Sequence, residues 1–152
     1  MVDEETLLNR IKRIIAATRF PFIDQEDWPE DYETIVNDET RRFGIKWRGG
    51  ICYPSIVILR GDGEVQELGE VEPVGGVSEE SVNKWRLLSD TAGIGRRVKK
   101  FFLYVPEGVE DDALSLLEEN DIEYDGLRTY AVREGKLVVT PIMTHDHEKD
   151  HR

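Results

Sequence analysis

A chain of 152 residues with 39% hydrophobic and 34% charged side chains is expected to form one soluble domain that closes its core without disulfides or a structural metal. No run approaches the roughly 18 apolar residues of a membrane span, and a lone Cys52 excludes an internal disulfide or a cysteine zinc cluster. The formal net charge of -12 opposes non-specific attraction to nucleic acid, although a local basic groove stays open.

From Asp3, placed to cap a helix, the apolar positions Leu7, Leu8, Ile11, Ile14 and Ile15 recur at helical spacing and predict a helix ending near Arg19, before Pro21. The acids at Asp3, Glu4 and Glu5 stand where a secretory leader would carry lysines, so a cytoplasmic protein is expected. Phe20 to Tyr32 reads as a loop rich in Pro and aromatics, followed by a short helical turn around Tyr32 to Val36. Arg42 to Trp47 alternates apolar and polar residues and predicts a half-buried strand, with Gly49-Gly50 as the turn after it. Ile51 to Leu59 is a β-branched run that Gly61-Asp62-Gly63 joins to Glu64 to Glu72, a hairpin. These three strands are expected to be consecutive and antiparallel.

A flexible stretch, Pro73 to Val77, leads to a second helix with Ser78 as its cap, Val82, Trp85, Leu88 and Ser89 on one face, and Gly93 and Gly95 at its close. Lys99 to Val105 predicts a buried strand. Glu110 to Glu119 predicts a helix with Ala113, Leu114, Leu116 and Leu117 inward, and Leu127 to Ile142 a strand pair turning at Glu134-Gly135. Residues 1–144 are expected to form the domain and 145–152 a mobile charged tail. His145, His147 and His151 in that tail lie among charges with nothing apolar to bury, so solvation is favoured over metal ligation.

The residues with chemical potential sit at a strand end. Glu70 and Glu72 are two apart, so they project from one face of their strand while Val71 projects from the other. In an antiparallel hairpin, Ser55 lies beside them. Clustered hard oxygens suit Mg²⁺ or Mn²⁺, whereas the plainer account makes both acids solvent-exposed surface charges. Two basic clusters offset the acidity locally and are candidates to meet the phosphates of a nucleic acid: Arg41, Arg42, Lys46 and Arg48, and the more suggestive Arg96, Arg97, Lys99 and Lys100, which follow a flexible Gly93-Ile94-Gly95 loop. The second cluster equally serves to protect the apolar strand that follows it from aggregation. Cys52 reads as a small apolar strand residue.

The run Tyr53-Pro54-Ser55-Ile56-Val57-Ile58, then Gly69-Glu70-Val71-Glu72, then Ser81 to Trp85, then Phe101 to Pro106 resembles the PD-(D/E)XK nuclease superfamily. The resemblance runs from Asp3 to Val105 and implies a restriction-endonuclease-like α/β fold, an α-β-β-β-α-β core with a mixed sheet between helices, followed here by a helix and a two-strand extension. It implies Mg²⁺- or Mn²⁺-dependent phosphodiester hydrolysis with Glu70 as the third-strand acid on the metal; the shared face makes Glu72 the second candidate ligand. Two positions depart from the pattern: Ser55 stands where the family has its first aspartate, and Glu72 where it has its lysine. Lys84 is placed to supply a migrated lysine, with an exposed surface lysine as the plainer account, and Glu4 or Glu5 are the candidates for a first-helix glutamate. The alternatives are a catalytically inactive nuclease-fold module, a homodimer in one form, that binds nucleic acid or protein, and an acidic interaction domain of other ancestry. The last is expected to lack a cleft at the third-strand end.

Overall fold

The computed structural model describes residues 3–19, 31–92 and 101–144. The aromatic loop from Phe20, the Gly93–Gly95 stretch, the cluster Arg96, Arg97, Lys99 and Lys100, and the histidine tail lie outside these residues.

Asp3 caps the first helix, α1 (Glu4–Arg19), its Oδ1 accepting the Thr6 amide at 2.7 Å. The buried stripe of α1 is Ile11, Ile15 and Ala16, with Leu8 half-buried beside them; Leu7 and Ile14, expected inward, stay more than a third exposed. The first strand, β1 (Glu33–Val36), occupies the segment expected to be a helical turn. Two short strands follow, β2 (Ile45–Trp47) and β3 (Gly50–Cys52), and pair with each other as a separate two-stranded sheet. The turn between them places Arg48 (φ 47°) and Gly49 (φ 77°) in the left-handed region, the geometry of a tight hairpin, which Gly49 adopts without steric cost.

The long strand expected from Ile51 to Leu59 is therefore broken at Tyr53-Pro54-Ser55, and only β4 (Ile56–Leu59) joins the main sheet. Proline has no amide hydrogen to give a ladder, which suits Pro54 to the break. β4 pairs antiparallel with β5 (Val65–Val71) across the expected Gly61-Asp62-Gly63 turn. The remaining elements are α2 (Ser81–Thr91), β6 (Phe101–Pro106), α3 (Glu110–Glu119), β7 (Gly126–Arg133) and β8 (Lys136–Thr144). α2 starts three residues after the expected cap at Ser78, behind a turn in which the Ser81 hydroxyl accepts the Ser78 amide and donates to the Gly76 carbonyl.

The main sheet runs β1-β4-β5-β6-β7-β8, antiparallel at both ends and parallel where α2 and α3 make the crossovers. The protein is thus an α/β fold with a mixed sheet and three helices among the described residues. Its antiparallel meander is β1-β4-β5, with Glu33–Val36 in the place expected for Arg42–Trp47. Side chains alternate across the sheet. Ile56, Ile58, Val71, Phe102, Tyr104 and Tyr130 pack with α1, while Val57, Leu68, Phe101, Leu103 and Leu127 pack with α2 and α3. No helix of the described residues is long and apolar enough to cross a membrane.

Asn37, buried directly after β1, joins the β2–β3 ribbon to the main sheet. Its amide nitrogen donates to the carbonyls of Phe43 (2.7 Å) and Pro54 (2.6 Å), and its Oδ1 accepts from the amides of Arg42 (2.8 Å) and Phe43 (3.0 Å). Asn37→Ala orphans four backbone groups at once and is expected to cost about 2–4 kcal/mol, given about 1–3 kcal/mol for each buried polar group left unpaired. Urea denaturation checks this, and a loss below about 1 kcal/mol would mean that water replaces the clamp.

Candidate functional site

Antiparallel pairing of β4 with β5 places Ile56 opposite Gly69, which brings Ser55 beside Glu70. The Ser55 amide and hydroxyl both donate to Glu70 Oε1 at 2.8 Å, and the same hydroxyl accepts the Val71 amide at 3.0 Å. The serine's single proton is committed to Glu70, so its oxygen is neither a free nucleophile nor a substitute for a carboxylate. Glu72 stands one residue past β5, its amide bonded to the Tyr104 carbonyl at 2.8 Å, so the same-face arrangement continues beyond the strand.

α2 lies over this face and contributes two consecutive residues. The Trp85 ring is fully buried in the core, and its Nε1 donates to Glu72 Oε2 at 2.7 Å. The Lys84 ammonium lies 3.0 Å from Glu70 Oε2 and 2.7 Å from Glu72 Oε2. Ser55, Glu70 and Glu72 are buried, while the Lys84 side chain keeps 27% of its surface exposed. Both plainer expectations are thereby corrected: the acids are not surface charges, and Lys84 is not a free solvent lysine. The reason is common to both, because α2 covers the face on which alternation places the two glutamates. Val71 lies buried on the opposite face, as expected, and packs there with α1.

Burial raises the Glu72 pKa, and the neighbouring Glu70 charge adds to the rise; Lys84 and Trp85 pull it back only in part. For Lys84, burial alone lowers the pKa, but the charges of Glu70 and Glu72 outweigh it and the ammonium holds its proton above the ordinary lysine range. Cys52 is buried close by, its thiol pushed up to about 11 by burial and then by Glu70, which leaves it inert as a nucleophile at neutral pH. Tyr130, from β7, donates its hydroxyl to the Glu72 carbonyl, and its phenol is pushed up to about 12 by burial and the Glu72 charge. Sequence reasoning assigned Trp85 to the apolar face and did not single out Tyr130. Their bonds to Glu72 span 13 and 58 residues, and no local spacing signals either.

A Mg²⁺ ion requires near-octahedral oxygen ligands at about 2.0–2.1 Å. Here both oxygens of Glu70 and Oε2 of Glu72 already accept hydrogen bonds from protein donors, and an ammonium bridges the two carboxylates. The donor set as it stands does not fit the ion. Among the described residues no group of three or more His, Cys, Asp or Glu is placed to hold a metal. Glu4, a candidate for the first-helix acid, lines a groove between α1 and β7, with Pro73 and Val74 beside it. Of the basic residues, Arg41, Arg42, Lys46 and Arg48 are exposed on and beside the β2–β3 ribbon. No family model, curated protein or solved structure matches the chain.

Proposed function

We propose that the chain is a restriction-endonuclease-like module whose cleavage centre has become a buried ion cluster, and that it binds nucleic acid without hydrolysing it. The order α1, β1, β4, β5, α2, β6 supports the fold reading: an antiparallel meander followed by a helical crossover to a parallel strand is the α-β-β-β-α-β arrangement. The observation that carries the loss of catalysis is the closure of Glu70 by Ser55 on one oxygen and Lys84 on the other. Glu70 so engaged spends three of its about four acceptor sites on protein donors, and any ion binding it would have to displace the Lys84 ammonium.

The β2–β3 ribbon supports the choice of nucleic acid. Two-stranded ribbons are narrow enough to enter a nucleic-acid groove. This one carries the Arg41 guanidinium 5.2 Å from the Tyr53 ring centre and Arg48 5.6 Å from that of Trp47, with Lys46 exposed between them. Arg42 is partly neutralised by Glu33 at 3.1 Å. Three cations predict a salt dependence of log K near -2 to -3, at about -0.9 per phosphate contacted.

The test is fluorescence anisotropy with labelled single- and double-stranded DNA and RNA at about 50 mM salt, followed by gel analysis of the same mixtures with Mg²⁺. Binding is expected to weaken by at least about tenfold in Arg41→Glu/Arg48→Glu, with no cleavage. Indifference of binding to that double change overturns the ribbon. One observation favours a second reading, hydrolysis through a migrated lysine: Lys84 stands between the two acids. Mg²⁺-dependent cleavage abolished by Glu70→Gln would establish it in place of the first.

A further inference from the structure

Three of the six exposed large hydrophobics among the described residues, Leu7, Val74 and Val132, converge on one groove. Its walls are the start of α1, the Pro73-Val74 segment after β5, and the end of β7; Ile11 and Tyr130, both buried, line its deeper part. Its volume of about 380 Å³ falls in the roughly 300–1,000 Å³ range of pockets that hold ligands, with room for a few aliphatic side chains. Val74 is 76% exposed, and with Leu7 and Val132 around the same groove it forms an apolar patch rather than a lone surface residue.

We propose that this groove docks a short amphipathic helix carrying Lys or Arg beside its apolar face. The charge of the lining and the pairing of β7 select that occupant. Among the described residues the charged groups lining the groove are the carboxylates of Glu4 and Glu107, the second paired with Arg133, in a chain of net charge -12. A second copy, a nucleic acid or an anionic lipid surface would bring like charge to that rim, whereas a cationic segment complements it. β7 is paired to β8 along its whole length and to β6 as far as Tyr130, so only Ala131 to Arg133 keep an open edge, too few residues to hold an added strand, and recognition falls mainly to side chains.

The groove is at the β7 end of the sheet and the ribbon adjoins β1 and β4 at the other, so docking here stands independently of nucleic-acid binding. The probe is a fluorescein-labelled Leu/Lys peptide of roughly 14 residues, long enough to hold a helix once bound. A Ser/Lys peptide of equal length and charge is its control. Anisotropy is expected to show saturable binding of the Leu/Lys peptide alone. Val74→Asp/Val132→Asp should weaken it by at least about tenfold, and Glu4→Lys by several-fold. Both valines are exposed, so the variants should keep the circular dichroism of the parent. Equal binding of the Ser/Lys peptide, or indifference to the double change, overturns the proposal. Sedimentation showing a dimer that Val132→Asp dissolves also overturns it, by giving the groove to a second copy.

Discussion

Lys84→Met is expected to destabilise the fold by about 3–5 kcal/mol at neutral pH, the range for removing one partner from a buried ion pair. The methionine keeps most of the packing of the lysine stem, so the loss reports the charge. Without the ammonium, Glu70 and Glu72 face each other beneath α2 with no cation between them. The pH dependence separates this from a packing defect. The folded-state pKa of Glu72 is raised above its ordinary value of 4.5, so between those two values the folded state binds more protons than the unfolded one and stability falls as pH rises. Removing Lys84 removes a group that opposes the rise. The deficit of the variant should therefore shrink as pH is lowered toward the ordinary carboxylate value of 4.5 and grow as pH is raised above it.

Lys84 itself has a pKa raised above 10.5. Its contribution is fully present below that value and is lost as pH climbs through the folded pKa, so the parent should lose stability at high pH and the variant should lack that decline. Adding Glu72→Gln to Lys84→Met should recover part of the loss, because an amide leaves only one buried carboxylate. Urea titrations across pH check all of these. A deficit under about 1 kcal/mol, or one that does not vary with pH, would show that the cluster is solvated rather than buried.

Ser55→Asp is the change that most directly probes the proposed history of the site. It replaces two donors to Glu70 Oε1 with the backbone amide alone and sets a second carboxylate against the first. Two unit charges about 4 Å apart at an effective dielectric near 20 repel by about 4 kcal/mol, so a loss of roughly 2–4 kcal/mol is expected in chelator. If the cluster descends from a metal centre, the new carboxylate supplies the missing ligand and divalent ions should restore stability. Saturation at about 100 times the dissociation constant returns about 2.7 kcal/mol. The parent, with its oxygens engaged, should show only weak, millimolar heats with Mn²⁺ by calorimetry. Ser55→Asn, which matches the shape without the charge, separates crowding from repulsion. Thermal denaturation of Ser55→Asp that is the same with and without Mg²⁺ or Mn²⁺ would remove the argument from ancestry.

The elements that local rules describe best were legible in the sequence. The α1 cap at Asp3, the β4–β5 turn, β6, α3 and the Glu134-Gly135 turn between β7 and β8 all carry signals within a few residues. So was the grouping of Ser55, Glu70 and Glu72, because pleat alternation and hairpin register place those residues together before any other contact forms. Glu33–Val36 was misread because four residues are too few to distinguish a strand from one helical turn by period. Arg42 to Trp47 does contain a strand, but alternation does not name a partner, and Asn37 together with the Tyr53-Pro54-Ser55 break assigns that strand to the ribbon.

Burial was the larger gap. Alternation told which face Glu70 and Glu72 share, but whether that face meets water or a helix depends on where α2 crosses the sheet. The same crossing turns Lys84 from a surface cation into the counter-ion of both acids and Trp85 into a donor to Glu72, while Tyr130 reaches the Glu72 carbonyl from β7 on the α1 side. Periodicities of two and 3.6 residues suffice to place the local elements and to gather the residues at the strand end. That the cluster is closed and charge-compensated follows from the packing of α2 on the sheet, because desolvation and ion pairing depend on distances between segments remote in the chain.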